Sequence, residues 1–204
     1  MTDVEKITED KIFDAAVQIF ENKGRAGARM QEIADLAGIN KAMLHYYFRS
    51  KDKLFEAVFT KLAATMFEKL FGCFDNDLPL EQKLELFYHE HISFLQKHPR
   101  LPAFIFNEIN QNPDRIVRIL SLKRILSIKK NIFSQIDEEI QTGNIRNVDK
   151  IQLLINIIAL SVFPFVASGL IVTLFHQQNI DFDDFIERRK TELAQFIINA
   201  VKDK

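Results

Sequence analysis

Residues that break helices or cross-link chains are scarce in this sequence of 204 residues. It contains six glycines, five prolines and one cysteine, Cys73, and it has no tryptophan. Strands joined by tight turns normally need more glycine and proline, so the composition favours helices over sheets. A single cysteine excludes an internal disulfide framework and favours a reducing compartment, and we therefore expect a cytoplasmic protein.

The net charge is also small, because 27 basic residues face 28 acidic ones. This balance excludes a uniformly basic binder of the histone type, but it hides a local asymmetry. Residues 22–55 carry seven basic and three acidic side chains, whereas residues 1–21 carry two and six. Contact with phosphate groups requires a locally positive segment, so residues 22–55 are a candidate nucleic-acid surface.

One long segment, from Ile151 to Ile180, has no Asp, Glu, Lys or Arg. Its length up to Phe175 would suffice to cross a bilayer, but it includes the polar residue Asn156 and, near its middle, Pro164. We expect a helix that bends at Pro164 and is buried in a core or at a subunit interface, with no membrane involved. A membrane-associated protein remains the alternative. The N-terminus has no apolar run after its charged residues, so we expect no signal peptide.

Apolar residues recur at spacings of three and four along most of the chain, which predicts helices. No stretch alternates convincingly with a period of two. The predicted N-caps are Thr8, Asn40, Ser50 and Asp181, and the predicted helix ends are Gly24, Gly38 and Gly143. The result is an all-α fold of about nine helices: 8–23, 30–37, 40–48, 50–71, 79–97, a short segment between Pro99 and Pro113, 113–141, 148–176 and 181–201.

Residues 29–48 have the length and the helix-terminating residues of a helix-turn-helix, with two helices of about eight residues joined by a turn at residues 37–40. Gly38 supplies the positive φ that such a turn needs. Ala34 is small enough to let the two helices approach each other, and Leu44 would pack them against the first helix.

The run from Ile33 to Phe55, IADLAGINKAMLHYYFRSKDKLF, resembles the TetR/AcrR family of bacterial transcriptional regulators. The family pattern is roughly I-A-x-x-A-G-V-S-x-x-x-L-Y-x-Y-F-x-S-K-x-x-L. The resemblance covers about the first 65 residues, and the rest of the chain matches only in its all-helical layout. It implies a three-helix DNA-binding domain at residues 1–52, followed by a larger helical effector-binding and dimerisation domain at residues 53–204.

The resemblance also implies a function and partners. A homodimer would place one recognition helix of each copy in a major groove of a palindromic operator, with half-sites about 34 Å apart. We expect a repressor that a small molecule relieves, with no catalytic residue, no metal and no cofactor. The fourth helix would transmit the movement, and the last two helices of each copy would form a four-helix dimer interface.

By position, the resemblance implies DNA contact by Arg29, Lys41, Ala42, Met43, His45, Tyr46, Tyr47 and Lys51. Lys41 suits guanine O6 and N7, while Ala42 and Met43 suit thymine methyl groups. Two features depart from the family: His45 stands where Tyr is usual, and Ala28 and Arg29 occupy the start of the second helix, where Thr is common. The second helix therefore lacks the threonine hydroxyl that would cap it and bond a phosphate, and Arg29 is expected to contact a phosphate directly.

Nineteen phenylalanines fall mostly after residue 50, and in the family the ligand cavity lies among the middle helices. An aromatic, mostly apolar cavity would suit a hydrophobic or planar effector. Considered individually, each candidate is more often an ordinary core residue than a residue that lines a ligand cavity. The candidate lining residues are Phe87, His91, Phe94, Phe104, Phe106, Asn107 and Phe163.

No catalytic or phosphate-binding motif is visible, since GxSxG, P-loop and GxGxxG patterns are all missing. Glu85 and His89 share a helical face, but two ligands are too few to propose a metal site. An all-α enzyme that uses the Phe-rich body is the other alternative, and an activator or a regulator without a ligand is a milder one.

Overall fold

The structure, a computed structural model, describes residues 3–74, 77–114 and 122–202, and it describes side chains in 7–74, 77–114 and 130–202. Within these ranges every regular element is an α-helix, which confirms the predicted all-α class. The ten helices are α1 (Asp3–Gly27), α2 (Met30–Ala37), α3 (Lys41–Tyr47), α4 (Lys51–Gly72), α5 (Leu80–Lys97), α6 (Leu101–Gln111), α7 (Leu122–Gln141), α8 (Lys150–Val166), α9 (Ser168–His176) and α10 (Phe182–Val201).

The charge-free segment forms two helices, which is why ten helices are described where about nine were predicted. The helices α8 and α9 meet at an angle of 69°, and the break falls at Ala167. The prediction of a bend at Pro164 is wrong, because Pro164 lies inside α8. Proline cannot bond the carbonyl four residues before it, but Arg189 Nη2 donates to that carbonyl, Leu160 O, at 2.7 Å. A side chain from α10 thus supplies the missing partner, and the helix continues.

The ends of two other helices differ from their predicted positions. Helix α1 begins at Asp3, so Thr8 is not its N-cap. The predicted interruption at Gly24 is present as a kink with non-helical backbone, and a further helical turn continues to Gly27. Gly24 has φ 64° and ψ 178°, a conformation that is essentially restricted to glycine. The helix predicted for residues 113–141 is described from Leu122 onwards as α7, and residues 115–121 lie outside the described residues.

Three of the predicted N-caps are confirmed by hydrogen bonds. Asn40 Oδ1 accepts from Met43 N at 2.7 Å, Ser50 Oγ from Lys53 N at 3.2 Å, and Asp181 Oδ1 from Asp184 N at 2.9 Å. Each cap satisfies a backbone N–H that has no partner within its own helix. Local sequence therefore determines where α3, α4 and α10 begin.

The N-terminal helices share a core whose centre is aromatic. Phe20 of α1 lies edge-on to Phe55 of α4, with ring centroids 4.9 Å apart. Phe104 of α6 lies 5.8 Å from Phe55 and 5.8 Å from Phe59. Helix α6 follows α5 in the chain, yet its buried side chains complete the core formed by α1 to α4.

A second core joins the C-terminal part of α4 to α5, α7, α8 and α10. Phe87 of α5 lies 5.1 Å from Phe74, and Tyr88 Oη donates to Ile157 O of α8 at 3.2 Å. Helix α5 is the central element of this body, because α8 and α10 both pack against it. The outer faces of α8 and α10 are left without a covering element among the described residues.

Candidate nucleic-acid interface

The turn between α2 and α3 is held by its own backbone and by buried side chains. Gly38 adopts φ 69° and ψ 31°, and its N–H and that of Ile39 bond to carbonyls at the end of α2. Ala34 and Leu44 are fully buried between the helices. A left-handed residue without a Cβ and a small residue at the crossing fix the angle between α2 and α3.

The outward face of α3 holds five of the eight predicted DNA-contacting residues. Leu44 is its one buried residue, whereas Lys41, Ala42, Met43, His45 and Tyr46 are exposed. Met43 is 42% exposed and Tyr46 77% exposed, which is unusual for large apolar and aromatic side chains. The seven-residue helix therefore presents a lysine, two apolar groups, an imidazole and a phenol together on one side.

The other three predicted residues lie at the edges of this face. Tyr47 is half-buried against the N-terminal core, and its ring lies edge-on to Tyr46 with centroids 5.5 Å apart. Arg29 is exposed at the N-cap position of α2, where its side chain makes no capping bond. Lys51 is half-buried, and its Nζ donates to Ala28 O at 3.1 Å. Its second acceptor is Ala26 O at 3.4 Å, so Lys51 connects the start of α4 to the turn after α1 through neutral backbone carbonyls.

Two ion pairs within residues 22–55 are invisible in the sequence. Arg25 donates to Asp52 Oδ1 from Nη2 at 2.9 Å and from Nε at 3.0 Å. Lys23 Nζ donates to Glu32 Oε1 at 2.9 Å, and this bond lowers the pKa of Glu32. Both pairs join the end of α1 to neighbouring helices, so these two cations serve the fold. Basic side chains that remain exposed nearby are Arg29, Lys41, Arg49 and Lys53.

Two of the predicted effector-site residues, Phe87 and His91, meet in the interior of the body. Their rings stack with centroids 5.2 Å apart, and His91 Nδ1 lies 3.1 Å from Ser161 Oγ. His91 Nε2 is buried and has no hydrogen-bond partner among the described residues. Burial lowers the pKa of His91 from 6.5 to about 4, because the interior disfavours the imidazolium. Phe94, two turns further along α5, is half-buried between the two cores.

The remaining predicted effector-site residues lie elsewhere. Phe104 belongs to the N-terminal core, and Phe106 and Phe163 are exposed. Asn107 lies in an open cleft beside the end of α1, where its Oδ1 accepts from Gln111 Nε2 at 3.2 Å. The seven residues thus do not line one common cavity.

A groove of about 700 Å³ runs between the outer faces of α8 and α10. Its walls are mainly apolar and include Leu153, Leu160 and Ile197. Phe163 and Phe196 line it and are 58% and 61% exposed. Exposed apolar surface next to a concave apolar wall is characteristic of a protein–protein interface.

Two further properties of the described residues concern membrane spans and metal ligands. No single described helix is long and apolar enough to cross a bilayer, and only α8 and α9 taken together, bent by 69°, reach that length. In the same part of the chain, no three His, Cys, Asp or Glu side chains are close enough to share a metal ion.

Comparison with known proteins points to one family. The family model described as "Bacterial regulatory proteins, tetR family" matches residues 12–58. The chain is 32% identical over 135 residues to "Probable HTH-type transcriptional regulator YttP" of Bacillus subtilis, an alignment that covers 65% of this chain and 64% of that protein. It therefore spans slightly less than two thirds of that relative. The chain is also 43% identical over 58 residues to the HTH-type transcriptional repressor NicS of Pseudomonas putida, covering 28% and 27% of the two chains.

Solved structures match over nearly the whole chain. A TetR family transcription regulator from Marinobacter aquaeolei superposes with a TM-score of 0.63 at 18% identity, covering all of both chains. A TetR-like transcriptional regulator from a Rhodococcus species superposes with a TM-score of 0.61 at 21% identity, covering 94% of this chain and 93% of that one. At such identities the match shows a shared fold.

Proposed function

Because the chain belongs to the tetR family of bacterial regulatory proteins, we propose that it is a DNA-binding transcriptional regulator that binds a palindromic operator as a homodimer. The observation that carries this proposal is the outward face of α3, where Lys41, Met43 and Tyr46 are exposed on a helix held by buried Leu44. A helix with such a face fits the major groove of B-form DNA. The matched relatives are named as regulators, so no enzymatic activity is assigned.

The exposed residues suggest a division of labour on DNA. Lys41 can donate to guanine O6 and N7, and Ala42 and Met43 can contact thymine methyl groups. His45 and Tyr46, further along α3, would contact phosphates or nearby bases. In this proposal Arg29, Tyr47 and Lys51 contact the phosphate backbone, where they would set the register of the helix without reading sequence.

The proposed dimer uses the outer faces of α8 and α10. Ile151, Ile155 and Phe163 on α8 and Phe196 on α10 are exposed apolar residues on these faces. The groove between the helices places a concave apolar surface beside the two exposed phenylalanines. A two-fold symmetric interface pairs the same surface of the two copies, and an exposed apolar surface suits such a pairing.

We further propose that the regulator is a repressor relieved by a small hydrophobic or aromatic molecule and that it acts in the cytoplasm. The repressor NicS supports the first part by its name. The stacked Phe87 and His91, with an unbonded Nε2, support an effector contact between α5 and α8. In this scheme residues 1–52 read DNA and residues 53–204 bind effector and partner. An effector acts by favouring a dimer whose two α3 helices are wrongly spaced.

Operator selection tests the proposed function directly. Purified protein is incubated with fragments of its own genome, bound fragments are sequenced, and the enriched site is used in gel-shift titrations at about 0.15 M salt, where non-specific binding is weak. We expect a palindromic site, and we expect Lys41→Ala and Tyr46→Ala each to weaken binding roughly tenfold or more.

Lys97→Ala is the matched control, because Lys97 is exposed at the end of α5, far along the chain from α3. It should bind the operator as the unmodified protein does. Normal binding by both α3 variants would contradict the site assignment, and failure to enrich any site would contradict the regulator itself.

A further inference from the structure

His45 lies in the last turn of α3, on the outward face that the proposed function assigns to DNA. Its side chain is exposed, and so are those of Lys41, one turn earlier in the helix, and Arg49, just after the helix ends. Within the described residues, none of these three side chains takes part in a hydrogen bond or an ion pair. Buried Leu44 and half-buried Tyr47 anchor this turn in the N-terminal core. An imidazole is thus held in a fixed place between two free cations.

Every acidic side chain of residues 22–55 has a partner other than this imidazole. Helix α2, which packs against α3, contributes Glu32 and Asp35 and has no basic residue. Glu32 and, at the start of α4, Asp52 are held in the two ion pairs described above. Asp35 accepts from Gln31 Nε2 at 2.8 Å. A protonated imidazole on α3 therefore has no carboxylate partner among the described residues, and its anionic partner comes from the DNA.

We propose that His45 is a phosphate ligand whose contact requires a proton, so that this chain takes up protons when it binds its operator. The proposal rests on the DNA-binding function proposed above and gives the chemistry of one contact. Imidazole changes its charge between about pH 5 and 8, and a charged N–H bonds a phosphate oxygen about twice as strongly as a neutral one. Because the phosphate favours the charged ring, a proton from solution binds to His45 together with the DNA.

The place of His45 along α3 favours a phosphate over a base edge. In a helix-turn-helix the N-terminal residues of the recognition helix contact the bases, and Lys41 is the first residue of α3. The last turn has the carbonyl end of the helix, which repels anions, so a phosphate there needs a cationic side chain. A tyrosine, the usual residue at this position in the family, is a neutral donor near pH 7. The dependence on a proton therefore distinguishes this chain from relatives with tyrosine.

Proton uptake gives the operator affinity a pH dependence of known sign. Binding that takes up protons becomes tighter as the pH falls, and each copy in the dimer contributes one His45. If the phosphate favours the charged ring by roughly tenfold, the dimer binds its operator roughly tenfold or more tighter at pH 6 than at pH 8. Each new phosphate contact also releases about 0.9 counterion, so the salt dependence at pH 6 is steeper by up to about two units in log–log slope.

The test compares gel-shift titrations of full-length variants at pH 6 and pH 8, over a series of salt concentrations, on the selected operator and on a scrambled duplex of equal length. His45→Gln keeps a hydrogen-bond donor without a charge, and we expect its affinity to change less than about twofold between the two pH values. His45→Lys, charged at both, should bind tightly at both. His89→Gln, at an exposed histidine of α5, should keep the full pH dependence. Both pH values lie well above the lowered pKa of His91, about 4, so the fold is retained.

The outcomes separate the proton-linked contact from the proposed function. Equal operator affinity of the unmodified protein at both pH values, or a pH dependence that persists in His45→Gln, overturns the contact and leaves the regulator intact. A pH dependence on the operator that is missing on the scrambled duplex assigns the imidazole to a base edge and overturns the phosphate contact. If no operator is enriched, the proposed function fails, whereas tighter binding of the scrambled duplex at pH 6 that is lost in His45→Gln still supports the phosphate contact.

Discussion

His91 lies fully buried on α5, with its ring against Phe87 and its Nδ1 beside Ser161 Oγ. An imidazole in such a place resists protonation, because the charged ring would lose its hydration without gaining an anionic partner among the groups around it. Among the described residues, the one polar side chain bonded to it is that of Ser161, whose hydroxyl itself donates to Ile158 O at 2.8 Å. His91 therefore makes the body sensitive to acid.

The pH dependence of stability follows from the lowered pKa of His91. Between pH 6.5 and about 4 the unfolded chain binds a proton that the folded chain does not, so stability rises with pH in this window. The contribution is complete above pH 6.5 and is lost as the pH falls towards 4. Between pH 7 and pH 4.5, we expect the free energy of unfolding to fall by about 2–3 kcal/mol less in His91→Phe than in the unmodified protein, as measured by urea unfolding.

His89→Phe provides the comparison, since His89 is exposed on the same helix. The change in its free energy of unfolding between the two pH values should equal that of the unmodified protein. Equal pH dependence in the His91 variant and the unmodified chain would contradict the assigned role.

At the scale of the element, α8 shows how one long-range bond preserves a helix that contains proline. Pro164 leaves the carbonyl of Leu160 without its usual partner, and Arg189 of α10 donates to it at 2.7 Å. Arg189 also lies over the Phe185 ring, 5.0 Å from its centroid, and burial lowers the pKa of its guanidinium. The arginine therefore joins α8 and α10, and Phe185 in turn lies edge-on to Phe175 near the end of α9.

A double-mutant cycle measures this bond. Arg189→Met should cost about 1–2 kcal/mol of unfolding free energy in the unmodified background, because Leu160 O loses its partner. In a Pro164→Ala background the cost should be about 1 kcal/mol smaller, since residue 164 then has an N–H for that carbonyl. The contact with Phe185 cancels in the comparison. Additive free energies in urea unfolding would show that the bond does not compensate for the proline.

At the scale of the whole molecule, two hydrophobic cores are joined through α4 and α6. Helix α4 contributes to both cores, and α6 places Phe104 among the aromatic rings of the N-terminal helices while it also packs against α8. The positive charge concentrates in residues 22–55, while the uncharged segment lies on the opposite half of the chain, in α8 and α9. Residues 22–55 thus suit contact with phosphate groups, and residues 151–180 suit contact with an apolar surface.

Operator binding should depend on the exposed apolar faces of α8 and α10. Phe163→Glu with Phe196→Glu places charge on the exposed faces of α8 and α10, and we expect it to convert the dimer to monomer and to weaken operator binding by roughly a hundredfold or more through the loss of avidity. Sedimentation and gel shift measure the two effects. The control variant Leu86→Glu changes an exposed leucine on α5, and it should remain dimeric and bind the operator normally. If the variant with both phenylalanines replaced is still dimeric, the proposed interface is wrong.

The all-helical class, the turn at Gly38 and the caps at Asn40, Ser50 and Asp181 could be predicted from sequence. Each depends on residues within four positions of one another, where hydrogen bonding and backbone preference act without help from the rest of the chain. The exposed face of α3 was likewise predictable, because a period of 3.6 separates buried Leu44 from its neighbours.

Contacts between distant residues could not be predicted in the same way. Arg25 and Asp52, Lys51 and Ala28, and Arg189 and Leu160 are each more than 20 positions apart. Phe104, expected near the effector, lies instead in the N-terminal core, because α6 folds back against α1 and α4. Aromatic residues carry no local signal of which core they enter.

Composition and spacing therefore predicted most of the helices and the uncharged segment, since these follow from near neighbours and from the sum of charges, whereas the DNA-contacting residues of α3 came from the family resemblance. Packing was needed to show that two cations near α3 are engaged in ion pairs, that His91 is desolvated, and that the chain breaks at Ala167 and not at Pro164. These features depend on which surfaces exclude water and which groups meet there, and helices distant in sequence come together only when the whole chain has folded.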